Sequence, residues 1–131
     1  MSGHSAVKYV ISQGVLPKKI LLGIPVYGRS FVGASNIGEK YTGSAGDDGT
    51  YDFRDLVDSG VAQHTDEQTG AAFCNHEQGG FVSFDNVETV KMKAKYAVQN
   101  GLGGLFYWHI TADARGSSSL IKTGYNTLHD F

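Results

Sequence analysis

Apolar residues near the amino terminus recur at the spacing of a short amphipathic helix. The apolar residues Ala6, Val7, Val10 and Ile11 lie at positions i, i+1, i+4 and i+5, which is the pattern of a short amphipathic helix. Gly14 follows where such a helix would end, since glycine adopts the left-handed conformation that commonly closes a helix. The pattern therefore predicts a first helix that stops before Gly14.

An uninterrupted apolar run follows this helix. Residues 19–25 show no alternation of polar and apolar side chains, which is typical of a strand buried on both faces in a parallel sheet covered by helices. The run ends at Tyr27-Gly28-Arg29, which we interpret as a turn that presents polar side chains at the tip of the strand. This arrangement favours a fold built from repeated βα units.

The segment from Val32 to Gly80 has a different composition. Gly, Asp, Thr and Ser become frequent, the periodicity is lost, and residues 46–49 (Gly-Asp-Asp-Gly) form a turn signal. A segment of this length is too long for a structureless loop in a compact domain. We therefore expect an inserted subdomain with short strands near residues 50–53 and 71–74 and a helical turn near residues 55–60.

Helix and strand patterns return after the insertion. Residues 80–84 alternate as a strand, and Asp85 with Glu88 three residues later predicts the capping box of a helix. The predicted buried stripe of this helix contains Val87, Val90, Ala94, Ala97 and Val98, with Asn100-Gly101 at its end. Residues 102–110 predict a further strand, and residues 118–129 a last helix. This order of helices and strands is typical of consecutive βα units.

Composition and charge narrow the classes of partner. The 131 residues are 40% hydrophobic, enough for the core of one ordinary domain. The net charge is −2 and the Lys and Arg residues are scattered, so we expect no nucleic acid and no membrane as partners. No apolar stretch is long enough to cross a bilayer, and no signal peptide pattern is present. The single cysteine, Cys74, excludes a fold stapled by internal disulfides.

Tyr27, Arg29 and Trp108 are predicted to lie at the carboxyl ends of two strands, the end that carries the working residues of a βα barrel. Tryptophan offers a flat apolar surface to a pyranose ring, while Tyr and Arg donate directional hydrogen bonds to hydroxyl or acetamido oxygens. These residues predict a sugar site. From composition alone the alternative is structural, with Trp108 in the core and Arg29 paired with a carboxylate such as Asp113.

Two strand ends carry a family resemblance, residues 21–31 (LLGIPVYGRSF) and 103–108 (GGLFYW). They resemble the last two barrel strands of glycoside hydrolase family 18, the chitinases. The resemblance implies an α/β fold: a partial TIM (β/α)8 barrel, consisting of its last βα units, with an inserted small α+β subdomain.

The same resemblance implies roles for individual residues. Tyr27 and Arg29 would line sugar subsites and Trp108 would form the floor of the site, followed by a cis Trp108–His109 bond. Asp113 matches a family position and is a candidate supporting residue that either orients a neighbour or only closes a turn. Independently of the resemblance, His109 is a second candidate supporting residue because it is next to Trp108, and it either faces the cleft or packs behind it.

The family's catalytic signature, Asp-x-x-Asp-x-Asp-x-Glu, does not occur in these 131 residues. Its mechanism uses the substrate's own acetamido oxygen as the nucleophile while that glutamic acid protonates the leaving oxygen. Acidic residues of the insertion are expected in solvated turns instead, namely Asp47, Asp48, Asp52, Asp55 and Glu67. We therefore expect no catalytic residue, no metal and no cofactor in this chain, and no hydrolysis by the chain alone.

The resemblance divides the chain into a barrel segment at 1–31, an insertion-like subdomain at 32–80 and a second barrel segment at 81–131. Expected ligands are chitin or chito-oligosaccharides, which are β-1,4-linked N-acetylglucosamine polymers, and the expected location is extracellular. Two parallel strands cannot close a barrel. We expect self-association, our preferred hypothesis, to cover them, or else a separate amino-terminal barrel half, or folding of the chain into a smaller α/β arrangement of its own. Alternative functions are a lectin-like chito-oligosaccharide-binding module and an assembly partner of that half.

Overall fold

The computed structural model describes residues 2–130, which form four α-helices and seven β-strands. In chain order these are α1 (Ser2–Ser12), β1 (Leu21–Pro25), β2 (Tyr27–Phe31), β3 (Thr50–Asp52), α2 (Phe53–Asp58), β4 (His64–Asp66), β5 (Ala71–His76), β6 (Gly80–Phe84), α3 (Val87–Gln99), β7 (Gly104–Trp108) and α4 (Leu120–His129). Strands β1 and β7 form a parallel pair, and the other five form an antiparallel sheet in the order β3-β2-β6-β5-β4. No helix among the described residues has both the length and the apolar character needed to cross a bilayer.

The parallel pair is covered by helices on one face only. Ile24, Leu105 and Tyr107 belong to the core beneath α3 and α4. On the opposite face Phe106 lies over Gly23, where a Cβ atom would come within 2.9 Å of its ring, and Phe106 is 51% exposed. The prediction of a strand buried on both faces is therefore wrong for β1, because a single layer of helices covers this pair in the described chain.

The five-stranded sheet also buries one face. Ala72, Cys74 and Val82 point to this closed face and are fully buried, together with Phe53 and Leu56 of the short helix α2. Adjacent residues of each strand point the opposite way, so every second side chain lies on an open face. The alternation of buried and half-exposed positions along β5 and β6 follows from this one-sided packing.

The predicted Tyr27-Gly28-Arg29 turn is instead the start of strand β2. Gly28 is extended there and packs against the closed face of the sheet, where an added Cβ would lie 2.6 Å from Val82 Cγ1 and 2.8 Å from Leu56 Cδ1. The glycine that suggested a turn is therefore required by close packing. A single residue, Val26, separates β1 from β2, so the chain passes from the parallel pair into the antiparallel sheet almost without a loop.

The insertion contains the predicted local structure. Strands β3 and β5 and helix α2 confirm the expected strands near 50–53 and 71–74 and the helical turn near 55–60, and β4 is an additional strand that sequence patterns missed. Strands β2 and β6, which flank the expected 32–80 unit, pair with each other inside its sheet. The division at 31 and 80 stays a prediction, since the sheet itself extends past both positions.

Helix α3 begins one residue later than predicted, and its cap uses different side chains. Asn86 is the N-cap: its Oδ1 accepts from the Thr89 N–H at 3.0 Å, and Thr89 Oγ1 accepts from the Asn86 N–H at 2.9 Å. The predicted Asp85–Glu88 box is wrong because Asp85 turns inward and accepts hydrogen bonds from Thr89 Oγ1 and Lys93 Nζ. The predicted end at Asn100-Gly101 and the last helix are confirmed.

Candidate functional site

Val26 brings the ends of the two sheets together. This residue is completely buried, and its N–H donates to the Trp108 carbonyl at 2.9 Å while its carbonyl accepts from the Phe53 N–H at 3.1 Å. The end of β7, the start of β2 and the start of α2 are thereby held at one point. Side chains that leave the chain beside Val26 consequently meet in the same cleft.

Three predicted site residues line this cleft. Tyr27 and Arg29 project from alternate positions of β2, and Trp108 projects from the last position of β7. The cleft has a volume of about 240 Å³ and is also lined by Thr50, Asp52, His109 and Ala112. Strand positions two residues apart share a face, which is why Tyr27 and Arg29 point into the cleft while Gly28 points into the core.

The structural alternative for Trp108 and Arg29 does not hold. Trp108 is 67% exposed and therefore no core residue. Arg29 is exposed and forms no ion pair with any carboxylate in residues 2–130, and Asp113 is engaged elsewhere. The Trp108–His109 peptide bond is cis, as predicted. A flat indole and an unpaired guanidinium thus face the same solvent-filled space.

Asp52 is a cleft residue that the sequence analysis placed in a solvated turn. It is the last residue of β3 and lies directly opposite Tyr27 in the antiparallel register, while Thr50 lies opposite Arg29. Directly opposed residues point to the same face of a sheet. Asp52 Oδ2 lies 3.7 Å from Arg54 Nη2, and Arg54 Nη1 also donates to the Thr111 carbonyl at 2.9 Å. Asp52 can be assigned to the cleft only when the pairing of β2 with β3 is known.

His109 lies on the cleft side of the chain, which answers the alternative left open by the sequence. Its ring stands edge-on to the Trp108 indole, with centroids 5.9 Å apart and planes at 82°. Its Nδ1 atom lies 2.7 Å from Thr111 Oγ1, which holds the ring orientation.

Asp113 has a structural position at the start of α4. Its carboxylate accepts hydrogen bonds from the Ser119 hydroxyl at 2.6 Å and from the N–H groups of Ala114, Leu120 and Ile121 at 2.9, 2.8 and 3.1 Å. Burial, and then the negative charge of Asp113, raise the pKa of the neighbouring Tyr107. Of the two roles considered for Asp113, closing the turn is the one these contacts support.

The cleft has the groups needed to hold a neutral polar ring compound. Trp108 supplies an apolar plane, Arg29 and Tyr27 supply donors, and Asp52 supplies an acceptor. Asp52 is the one acidic residue among the described residues that line the cleft. No group of three or more His, Cys, Asp or Glu side chains in residues 2–130 is arranged to hold a metal ion.

Comparisons with known proteins identify relatives of this chain. The sequence model of the glycosyl hydrolases of family 18 matches residues 1–113. A probable endochitinase of Orgyia pseudotsugata multicapsid polyhedrosis virus is 38% identical over 120 residues, which are 82% of this chain and 22% of the relative. A plant class V chitinase mutant from Cycas revoluta, solved in complex with (GlcNAc)3, is 27% identical with a TM-score of 0.80, over 92% of this chain and 37% of that one.

A chitinase-like agglutinin from Robinia pseudoacacia is also similar, with 25% identity and a TM-score of 0.75 over 93% of this chain and 36% of that protein. This chain therefore spans well under half the length of the relatives it matches. The comparisons confirm the predicted fold class, a part of an α/β barrel with a small inserted α+β subdomain.

Proposed function

The chain belongs to the glycosyl hydrolases of family 18, and on that premise we propose that it supplies part of a chitinase-like glycosidase that acts on β-1,4-linked N-acetylglucosamine polymers. In this proposal the chain holds the sugar in the cleft between β2 and β7. Tyr27 and Arg29 donate hydrogen bonds to sugar oxygens, and one pyranose ring stacks on Trp108. An extracellular location, which the family resemblance implied, stays a prediction.

The observation that carries the proposal is the shared cleft of Tyr27, Arg29 and Trp108. The three side chains come from two different sheets and are held together by the Val26 hydrogen bonds. An exposed indole costs free energy in water unless a ligand covers it, so its position beside hydrogen-bonding groups supports a sugar ligand over a purely structural role. A relative of similar fold was solved with (GlcNAc)3.

We further propose that the chain binds chito-oligosaccharides without cleaving them. Retaining hydrolysis assisted by the acetamido group needs an acid beside the leaving oxygen. The family's acidic signature is absent from the sequence, and Asp52, the acidic residue of the cleft, lies 3.7 Å from Arg54 Nη2. The second candidate function is a lectin-like module, in which sugar binding without cleavage is the whole function of the protein. The similarity to an agglutinin favours this candidate.

The test is calorimetric titration of the purified chain with chito-trimer, alongside release of a fluorophore from a chito-oligosaccharide glycoside. We expect saturable binding and no turnover. Trp108→Ala and Arg29→Ala should each weaken binding, the first by about 2 kcal/mol or about thirtyfold in Kd, as for a central tryptophan contact. Both side chains are exposed, so neither change should unfold the chain.

Tyr9→Ala is the matched control, since Tyr9 is an aromatic residue of α1 that is 67% exposed, as Trp108 is, and lies outside the cleft. It should leave the Kd unchanged. Binding that survives both cleft substitutions would reject the proposed site. Turnover that is lost in Trp108→Ala would reject the claim that the chain has no catalytic acid.

A protein partner for the parallel pair is also part of the proposal. Leu21 and Phe106 of the parallel pair are 52% and 51% exposed. Both outer edges of the β1–β7 pair lack a neighbouring strand in the described chain. Such edges pair readily with other strands. We propose self-association through this surface, with a separate barrel half as the alternative. Sedimentation velocity should give a larger species that Phe106→Asp dissociates; a monomer at high concentration would reject self-association.

A further inference from the structure

A chain of contacts leads from helix α2 of the insertion to the indole of Trp108. Arg54 in α2 donates from Nη1 to the Thr111 carbonyl at 2.9 Å. Thr111 Oγ1 lies 2.7 Å from His109 Nδ1, and the His109 ring stands edge-on to the indole with centroids 5.9 Å apart. The insertion is therefore connected, through two residues, to the exposed tryptophan of the cleft.

The indole of Trp108 has little other support. Its backbone is fixed by strand β7 and by the hydrogen bond from the Val26 N–H to its carbonyl, but these contacts leave rotation about the side-chain bonds free. The side chain is 67% exposed, and the aromatic ring that contacts it is that of His109. Exposed side chains change rotamer within picoseconds to nanoseconds unless a neighbour holds them. The orientation of the indole thus depends on what holds His109.

The segment that carries His109 is itself exposed. Residues 109–112 connect β7 with Asp113, and Ala112 is the buried member of this segment, whereas His109 and Thr111 are exposed. The far end is fixed, because the Asp113 carboxylate accepts hydrogen bonds at the start of α4. Arg54 bonds to the exposed middle of the segment. It therefore supplies an anchor exactly where the segment has no buried side chain of its own to hold it.

The Arg54 guanidinium faces both walls of the cleft. Its Nη2 atom lies 3.7 Å from Asp52 Oδ2 on β3, while its Nη1 atom bonds to Thr111 on the side of β7. The planar fork of a guanidinium allows two nitrogens to hold two groups at once. Asp52 and His109 line the cleft, whereas Arg54 and Thr111 are absent from its lining. Arg54 and Thr111 thus act on the cleft through other residues.

We propose that Arg54 and Thr111 are positioning residues of the candidate sugar site, which hold the indole of Trp108, through His109, in the orientation in which a pyranose ring stacks. This inference rests on the proposed function and deepens it, because it adds residues that act on the site without contacting the sugar. An indole that is ordered before binding loses less freedom when the sugar stacks on it, so the affinity is higher.

The chain has one tryptophan, so its fluorescence reports on Trp108 alone. Time-resolved fluorescence anisotropy measures the fast motion of the indole, and calorimetric titration with chito-trimer measures binding. Thr111→Val removes the hydroxyl beside His109 and keeps the shape of the side chain, and Arg54→Met removes the donors and keeps an unbranched chain. Both changes should increase the amplitude of the fast motion and weaken trimer binding about fivefold, or about 1 kcal/mol.

Two further variants serve as controls. Thr111→Ser keeps the hydroxyl and should retain the indole motion and the affinity of the parent chain. Thr42→Val is matched to Thr111→Val, since Thr42 is also exposed and its hydroxyl donates to the Val32 carbonyl at 3.2 Å, outside the cleft. It should change neither measurement.

Unchanged indole motion in Thr111→Val and Arg54→Met would overturn the proposal, and a lower melting temperature in that case would assign the contacts to the stability of the segment alone. Faster motion with unchanged affinity for chito-trimer would overturn it as well, because the held orientation would then not serve binding. If the parent chain bound no trimer, the proposed function would be rejected, and the anisotropy would still decide whether these residues hold the indole.

Discussion

The two sheets of this protein bury their strands to different degrees. Strands β5 and β6 of the antiparallel sheet each have neighbours on both sides, and their closed face packs on α2 and the shared core. The parallel pair has helices on one face and no neighbouring strand on either side within residues 2–130. The strands of the insertion thus have more of their neighbours within the described chain than the parallel strands do, although the sequence of the insertion has the weaker periodicity.

The two sheets also differ in the kind of surface that they leave exposed. The three central strands of the antiparallel sheet, β2, β6 and β5, are paired on both sides, and the open face of the sheet is exposed and polar at the Arg29 end. The parallel pair leaves apolar residues such as Leu21 and Phe106 half exposed on the face that no helix covers in the described chain. The cleft forms where the two meet, because Val26 joins them.

The largest expected effect comes from Asp85, at the junction of β6 with α3. Its carboxylate lies 2.8 Å from Lys93 Nζ and also accepts from Thr89 Oγ1, and its side chain is only 5% exposed. Asp85→Ala would leave Lys93, itself largely buried, without its partner, so we expect a loss of about 3 kcal/mol in the free energy of unfolding. Urea unfolding followed by circular dichroism measures it.

Asp85→Asn is the informative control, since the amide oxygen still accepts from Thr89 while the charge is lost. It should cost less than Asp85→Ala. Equal losses would mean that the charge of the pair dominates, and a loss below about 1 kcal/mol in both would show that the junction does not join the sheet to the helix energetically.

The second prediction compares the two sheets directly. Val82→Ala deletes two methyl groups from the closed face of the antiparallel sheet and should cost about 2 kcal/mol through lost burial and the cavity left behind. Leu21→Ala in the parallel pair removes a side chain that is half exposed and should cost less than about 0.5 kcal/mol in the monomer. Denaturant midpoints at low protein concentration measure both, and similar losses would erase the contrast between the sheets.

The smallest effect separates the observed helix cap from the predicted one. Asn86→Ala removes the hydrogen bond to the Thr89 N–H and a second bond from Asn86 Nδ2 to Thr65 Oγ1 at 2.9 Å, so it should cost about 1 kcal/mol. Glu88→Ala removes an exposed side chain and should cost a few tenths of that. Thermal melts decide between them: a larger loss for Glu88→Ala would support the cap predicted from sequence.

The residues of the candidate site were found unevenly from the sequence. Tyr27, Arg29 and Trp108 were singled out because strand ends carry the working residues of a βα barrel and because the motifs around them resemble those of family 18. Asp52 was missed because its position depends on β3 pairing with β2, a contact between segments far apart in the chain. The Asp85 cap was misassigned because Asp85, Asn86 and Thr89 all fit the local capping signal, and only burial decides which side chain turns inward.

Local periodicity by itself determined several of the elements. The first helix, the strand near 80–84 and the helix after it were specified by spacing and by terminal glycines, because these signals act within a few residues. The strand near 71–74 was expected from the length of the insertion, where the periodicity is lost. Tertiary structure alone decided which faces were covered. Whether β1 is buried on one face or two, whether Gly28 turns or packs, and which acidic residue enters the cleft all depend on neighbours that are distant in sequence, and a local pattern carries no information about those neighbours.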